Sequence, residues 1–259
     1  MATTKTQFTH QKPHAALSAI LKKHAGRDVS GKVSVRHRGT RQKRYFRTID
    51  FRRDKRGIPA EVMTIEYDPN RNAHISLLKY TDGEMRYIVS PNTLRVGDQV
   101  IASEKAEIQV GNALPLKSIP TGIEIHNIEI FPGQGAKLVR SAGSFAMVIA
   151  KEDDGILVKL MSGEVRKFSP ESYATIGRVG NIGHKDEIIG KAGRSILMGI
   201  RPTVRGTAQN PRSHPHGGGE GRSGEGMHPK TPWGRPARGV RTRNRRKWTS
   251  KLIVTKRPR

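Results

Sequence analysis

The sequence predicts an all-β core of two small barrels, flanked by two extended cationic arms. Short alternating segments follow one another through residues 61–200, with turn signals about every 8–12 residues, a spacing typical of a sandwich or barrel and not of a βαβ fold. Residues 1–60 and 201–259 carry net charges of +13 and +14, whereas residues 61–200 carry −1. In the C-terminal arm, 201–259, glycine and proline together outnumber the apolar types by 16 to 10.

The first barrel is predicted over residues 61–122. Its segments alternate polar and apolar side chains, as a half-buried strand requires. Turn residues separate them, because Pro69 presets φ in the run DPNR and Asp82-Gly83 is a hairpin signal. The predicted strands are Glu61–Tyr67, Ala73–Tyr80, Glu84–Ser90, Gly97–Ser103 and Glu107–Val110.

The second barrel is predicted over residues 123–200, with the boundary near Gly122. It begins with Ile123–Phe131, which alternates along its whole length, and Gly155 and Gly163 mark later turns. Two small antiparallel barrels fit this pattern better than one large sandwich, and closing a barrel removes exposed sheet edges. The remaining predicted strands are Lys137–Arg140, Phe145–Ala150, Gly155–Met161 and Glu164–Phe168.

The basic arms, residues 1–60 and 201–259, hold too little apolar surface to form a compact core of their own. Ordering one residue of backbone costs about 1–2 kcal/mol, and so few apolar side chains cannot offset that cost. One short helix is predicted within the arms, at His14–His24. Its apolar face would consist of Ala16, Leu17, Ile20 and Leu21.

Composition restricts the classes of function. The net charge of +26 indicates a polyanionic partner, either nucleic acid or an anionic membrane. The absence of cysteine excludes disulfides, thiolate zinc sites and a cysteine nucleophile. No apolar run approaches the roughly 18 residues of a membrane span, and neither arm shows a long amphipathic helix. Nucleic acid is therefore the predicted partner, and no membrane is expected.

Arginine clusters strengthen the prediction of RNA binding. The first covers Arg36–Arg47 and is interleaved with aromatic residues, the second covers Arg52–Arg56, and the third, Arg241–Lys247, precedes Trp248. Arginine grips phosphates in a bidentate manner and stacks on bases, and aromatic rings stack on unpaired bases. A single run of charge is usually a solvated face, but three clusters on arms without a core favour RNA.

A histidine- and glycine-rich segment follows Ser213. Six glycines lie among residues 217–226, and glycine allows a chain to approach another surface closely. We interpret this segment as a loop threaded into packed RNA, with a flexible linker as the alternative. A metal site is a second alternative, formed from His214, His216, Glu220 and His228. Zinc would need further ligands and a second shell to position them, so neither a metal nor another cofactor is predicted.

Other motifs that suggest an enzyme are weak. Gly26–Lys32 has the spacing of a P-loop, but Val33 stands where Ser or Thr must bind magnesium, and no strand precedes it. A nucleophile and base pair of Ser213 and His214 lacks an orienting scaffold. We therefore predict no catalytic residue from these motifs.

Longer motifs resemble a known family. The runs RPTVRGTAQNPRSHPHGGGEGR at 201–222 and HPKTPWGRPARG at 228–239 resemble the signature of ribosomal protein two of the large subunit, in its bacterial and organellar form. The resemblance covers about residues 31–259. Further matching runs are RHRG at 36–39, IDFRRDKRGIPA at 49–60, IEYDPNRNAHISLLKY at 65–80, DGEMRYI at 82–88 and LVRSAGSFA at 138–146.

This resemblance implies an OB-fold barrel followed by an SH3-like barrel, between extensions embedded in rRNA. It implies a structural constituent of the large ribosomal subunit that is a primary binder of large-subunit rRNA. It further implies contacts with neighbouring ribosomal proteins and with small-subunit rRNA at the subunit interface, and support for subunit association, tRNA binding and the peptidyl transferase region. The implied location is the ribosome, in the cytoplasm or in an organelle.

Site residues follow from the resemblance and from the charge clusters together. In the family, an arginine in each of the DF-basic-basic, DPNR and RSAG motifs is associated with rRNA contact. The resemblance implies the same role for Arg53, Arg71 and Arg140 here. The predicted rRNA-binding residues are Arg36, Arg38, Arg44, Arg53, Arg71, Arg140, Arg201, Arg205, Arg222, Arg241, Arg243 and Arg245. The loop predicted to reach towards the peptidyl transferase region contains His214, His216, Gly217, Gly218 and Gly219.

Two rival functions remain at the level of sequence. The resemblance connects His214 with peptide-bond formation, but the catalytic centre of the ribosome is RNA, so a structural role is preferred. The other rival is a nucleic-acid packaging protein outside the ribosome. Packaging would predict simpler arms rich in lysine and alanine and a dispensable core, and the sequence has neither.

Overall fold

The computed structural model describes residues 12–244 and 246–258, and its chain divides into two compact units. The first consists of residues 1–21, 43–188 and 249–259, and we call it the sheet unit. The second consists of residues 22–42 and 189–248, and we call it the basic unit. Each unit thus joins segments that are distant in the sequence.

The described residues contain mostly β-strands and one α-helix, which confirms the predicted all-β class. The helix, α1, spans Ala192–Met198. The short 3-10 helices are Ala15–Leu17, Leu116–Ser118, Ile182–Asp186, Gly206–Ala208 and Trp248–Ser250. The strands β1 to β15 are, in chain order, Ser18–Leu21, Arg44–Arg47, Ala60–Glu66, Ile75–Tyr80, Met85–Val89, Gln99–Val100, Ala113–Pro115, Glu124–His126, Ile128–Glu129, Ala136–Leu138, Ala146–Glu152, Gly155–Leu160, Val165–Phe168, Tyr173–Ile176 and Ile253–Thr255.

The first large sheet is antiparallel, with the strand order β5-β4-β3-β6. Alternation along β3 buries Ala60 and Val62 and leaves Glu61 and Met63 exposed, as its sequence pattern predicts. The hairpin between β4 and β5 turns at Gly83, whose φ is +85°. The predicted Asp82-Gly83 hairpin signal is therefore confirmed.

The second large sheet has the strand order β15-β13-β12-β11-β8-β14-β7. Its core is mostly aliphatic, with Phe168 among its buried members, and it includes the fully buried Ile125, Ile128 and Val158. Two of its strands come from outside the predicted barrel. β7 precedes Gly122 and pairs with β14, and β15, from the C-terminal arm, pairs with β13. Backbone hydrogen bonding at the sheet edge recruits β15, which the low apolar content of the arm did not predict.

Three local predictions are wrong. His14–His24 is not one continuous helix, because only Ala15–Leu17 form a 3-10 turn and Ser18–Leu21 form a strand paired with β2. A short isolated helix is only marginally stable, and pairing with β2 satisfies the backbone groups of Ser18–Leu21 instead. The single predicted strand Ile123–Phe131 is broken into β8 and β9 at Asn127, whose φ is +50°. Glu107–Val110 is not a strand, because the Gln109 N–H donates to the Glu107 carbonyl in a tight turn.

A buried histidine couples the second sheet to pH. The His126 side chain lies on β8 and is fully buried, and its Nδ1 hydrogen-bonds to the Gly177 carbonyl at 2.7 Å. Burial lowers the pKa of His126 to about 4, because the charged imidazolium would lose its hydration. Between pH 6.5 and 4 the unfolded chain therefore binds a proton at this residue that the folded chain does not.

We expect the free energy of unfolding to decrease as the pH falls from about 6.5 to about 4, with His126 contributing about 3 kcal/mol to that decrease. The measurement is urea unfolding of the full chain at several pH values. His126→Gln should flatten the profile over this range, whereas the exposed His24→Gln should leave it unchanged. An equally steep profile in His126→Gln would contradict the assignment.

Candidate nucleic-acid interface

Positive charge is concentrated in the basic unit. This unit includes 21 Lys and Arg against 3 Asp and Glu, a net charge of +18. The remaining residues, those of the sheet unit, carry only +8 of the total of +26. Two arms that are far apart in the sequence therefore contribute to one unit with a dense cationic surface.

The basic unit lacks an apolar core among its described residues. Every cluster of buried apolar side chains belongs to the sheet unit. The buried side chains described in the basic unit are those of His214 and His216, which are 7% and 8% exposed. The composition of the C-terminal arm likewise predicts no apolar core for residues 201–259.

A short backbone ladder joins the two segments of the basic unit. Arg38 and Ile200 form an antiparallel bridge, and the Gly39 N–H donates to the Gly199 carbonyl at 2.9 Å. The Arg201 N–H donates to the His37 carbonyl at 3.0 Å. Gly199 ends α1 in the left-handed region at φ +94°, which suits glycine at the end of a helix. The ladder brings the predicted residues Arg38 and Arg201 together.

The histidine pair organises the loop that follows. His214 Nδ1 accepts a hydrogen bond from the His216 N–H at 3.0 Å, and His216 Nε2 accepts one from the Lys230 N–H at 3.0 Å. The two imidazole centroids lie 4.7 Å apart. Each histidine therefore accepts a hydrogen bond from a backbone N–H through one ring nitrogen. These bonds pair the N–H groups of His216 and Lys230, which apolar side chains could not do. No sequence pattern predicted the bond between His216 and Lys230, because the two residues are not close neighbours in the chain.

Glycines in this loop allow the chain to pack against itself. A Cβ on Gly206 would lie 2.6–2.8 Å from ring atoms of His214, and a Cβ on Gly217 would lie 2.6 Å from main-chain atoms of Gln209 and Asn210. Gly218 and Gly219 have positive φ angles of +89° and +84°. Close contacts within the protein and positive φ angles are therefore sufficient to explain these glycines. Their predicted close approach to RNA stays a prediction.

Four predicted arginines lie in the sheet unit, where each contacts protein groups. Arg44 Nη1 donates to the Pro69 carbonyl at 2.6 Å, and Arg71 Nε pairs with the carboxylate of Asp68 at 2.6 Å. Arg140 is exposed, and its guanidinium lies 4.8 Å from the centroid of the Phe51 ring.

Arg53 is the buried member of this group, with 6% of its surface exposed. Its φ is +50°, and Nη1 donates to the Gly111 carbonyl at 3.4 Å. Phosphate binding needs an accessible guanidinium, so this position supports a structural role for Arg53. The motif indicated the residue type, but only the packing shows its burial.

The other predicted arginines belong to the basic unit, and those described there are exposed. Arg36 lies 5.3 Å from the centroid of the Trp233 ring, a contact that the sequence did not predict. Arg245 lies outside the described residues. The exposed set is Arg36, Arg38, Arg201, Arg205, Arg222, Arg241 and Arg243.

Within residues 12–244 and 246–258, no group of three or more His, Asp or Glu side chains is arranged to hold a metal ion. In particular, the imidazoles of His214 and His216 face backbone N–H groups. None of the described helices has the length and apolar content to cross a membrane.

Close packing of the loop gives a direct test. Gly217→Ala should open the loop, because the added Cβ meets backbone atoms at 2.6 Å that cannot move independently. Hydrogen–deuterium exchange of the full chain should then speed up at the amides of His216 and Lys230. Gly224→Ala is the matched control, since a Cβ there meets no atom within 4 Å. Equal exchange in the two variants would contradict this description of the loop.

Comparison with known proteins identifies the chain. The family description "Ribosomal Proteins L2, RNA binding N-terminal domain" matches residues 14–102, and "Ribosomal Proteins L2, C-terminal domain" matches residues 109–234. The two domains correspond to an OB fold and an SH3-like fold, which confirms the order of barrels that the resemblance implied. The second match covers both the seven-stranded sheet's central strands and most of the basic unit's C-terminal segment. The chain belongs to the ribosomal protein L2 family.

Proposed function

We propose that this chain is a primary rRNA-binding protein of the large subunit, which supports subunit association, tRNA binding and the peptidyl transferase region. Membership of the family gives the coarser function, a structural and RNA-binding role in the ribosome, together with rRNA and ribosomal proteins of the large subunit as partners. The observation that carries the proposal is the net charge of +18 on a unit whose described residues lack an apolar core. Such a unit needs a polyanion to compensate its self-repulsion.

The finer assignments are part of the same proposal. The exposed arginines of the basic unit suit phosphate contacts, and the small-subunit rRNA is a proposed partner at the subunit interface. The fourfold division of the chain at residues 60, 122 and 200 stays a prediction, and so does each assigned rRNA contact. The ribosome in which the chain works is cytoplasmic or organellar.

Salt dependence tests the charge-driven binding. The arms contain 32 Lys and Arg, and if about a third of them neutralise phosphates, roughly ten counterions are released. We therefore expect log K against log salt to have a slope of about −7 to −9 in filter binding with a large-subunit rRNA transcript. A slope shallower than about −3 would contradict binding dominated by the arms.

A catalytic contribution of His214 is the second candidate function. An imidazole can transfer protons at neutral pH, and general acid–base help typically contributes about 10²–10⁴ in rate. However, His214 is buried against Gly206, and its Nδ1 is occupied by the His216 N–H. This geometry favours a structural role, so we propose that the chain is not an enzyme.

Single-turnover peptidyl transfer on purified, fully assembled ribosomes separates these roles. We expect His214→Gln, which keeps an amide donor and acceptor, to permit assembly and to change the rate by less than about tenfold. Gly218→Leu should impair assembly more, because its φ of +89° strains a branched side chain and its Cβ would lie 3.0 Å from Pro211. A loss of about 10² or more for His214→Gln, with normal sedimentation and substrate binding, would support catalysis.

A further inference from the structure

Trp233 is a large apolar side chain held in an exposed position. It is 72% exposed and lies in the turn Thr231–Gly234, where the Gly234 N–H donates to the Thr231 carbonyl at 2.9 Å. The Arg235 N–H donates to the Thr231 hydroxyl at 3.2 Å, which adds a second bond to the turn. An exposed indole on a hydrogen-bonded turn contributes nothing to a core, and its ring is accessible to a ligand.

The base of this turn is anchored to the histidine pair. Lys230 and Pro236 form an antiparallel bridge, and the Ala237 N–H donates to the Pro229 carbonyl at 2.8 Å. The Lys230 N–H also donates to His216 Nε2, one of the two buried side chains described in this unit. Trp233 is therefore displayed at the end of a hairpin whose base is fixed to the best-buried part of the unit.

A cation from the other segment of the unit lies over the indole. The Arg36 guanidinium is 5.3 Å from the centroid of the Trp233 ring, which is within the range of a cation–π interaction. Arg36 itself is exposed. Since most of the Trp233 side chain remains accessible, a flat ligand can stack on the indole beside a group that also binds phosphate.

The charge of the surroundings selects the class of ligand. The acidic residues of the basic unit are Asp28, Glu220 and Glu225. Asp28 accepts hydrogen bonds from N–H groups of its own turn, and Glu225 pairs with Arg238 at 3.0 Å. The excess of cations therefore favours a planar, anionic ligand, and an unpaired nucleotide supplies both the aromatic base and the phosphate.

We propose that Trp233 and Arg36 form a stacking site for one unpaired nucleobase of RNA. The indole supplies the stacking surface, and Arg36 orients it and binds the adjoining phosphate. This proposal rests on the RNA-binding function proposed above and adds a specific contact to it. The proposal also assigns a role to the buried His216, because its side chain anchors the hairpin that carries Trp233.

Tryptophan fluorescence tests the contact directly. The chain has two tryptophans, so Trp248→Phe leaves Trp233 as its sole indole. In this full-length variant, saturation with a twelve-nucleotide oligoadenylate should quench the fluorescence, since a stacked base contacts the indole face. Inorganic polyphosphate of equal charge should bind without comparable quenching, because it has no base. Equal quenching by both polyanions would overturn the proposal.

Matched variants separate stacking from charge. We expect Trp233→Leu to weaken binding of oligoadenylate about tenfold without changing the salt slope, whereas Trp233→Phe should retain most of the affinity. Arg36→Gln should also weaken binding of oligoadenylate. Its effect should exceed that of the control Lys32→Gln, because the exposed Lys32 lies in the same segment and its loss should only reduce the salt slope by about 1. Polyphosphate should bind Trp233→Leu as tightly as it binds the parent chain.

The outcomes distinguish this contact from the general function. If the parent chain binds oligoadenylate with a steep salt slope while Trp233→Leu binds equally well, the stacking site is wrong and the RNA-binding function stands. If neither polyanion binds at low salt, the proposed function and the stacking site both fail. Quenching specific to oligoadenylate, together with the loss in Trp233→Leu, supports the site.

Discussion

A high density of positive charge without an apolar core is the constraint on which the rest of this protein depends. The basic unit places 21 cationic side chains against 3 acidic ones. Burial of apolar surface is the main favourable contribution to folding, and the described part of this unit lacks it. A ligand that binds only the folded form stabilises that form. A polyanionic partner can therefore supply the stabilisation that buried apolar surface does not provide in this unit. We therefore expect binding and ordering to be coupled in the basic unit.

The sheet unit, in contrast, is stabilised by apolar cores and by ion pairs within the protein. Its two large sheets bury apolar cores, and several of its cations pair with acidic side chains of the same unit. Arg86, for example, pairs with Asp50 at 3.0 Å and with Glu84 at 2.7 Å, and Arg71 pairs with Asp68 at 2.6 Å. The sheet unit can therefore fold on internal contacts, while most of the uncompensated charge lies in the basic unit.

Inside the basic unit, hydrogen bonds from backbone N–H groups to histidine rings help to order the loop in place of apolar packing. His214 and His216 each place one ring nitrogen opposite a backbone N–H, so their burial does not leave those nitrogens unpaired. Gly206 and Gly217 leave the space that the histidine ring and the neighbouring backbone occupy. This arrangement explains why a histidine- and glycine-rich segment can be both ordered and polar, which neither a linker nor an apolar core would be.

The amino-acid sequence was enough to predict the all-β class, most strands of the two large sheets, the cationic arms and the family. These features depend on side-chain alternation, turn residues, charge and long motifs, all of which are local. Other features are visible only in the folded chain: the pairing of Ser18–Leu21 with β2, the recruitment of β15 to the second sheet, the burial of Arg53 and the bond between His216 and Lys230. Likewise, Arg36 and Trp233 lie in opposite arms of the sequence, and no local pattern indicates that they meet. The physical reason is that local preferences are small, whereas a strand edge, a buried guanidinium or a stacked ring depends on which distant segment supplies the opposite surface.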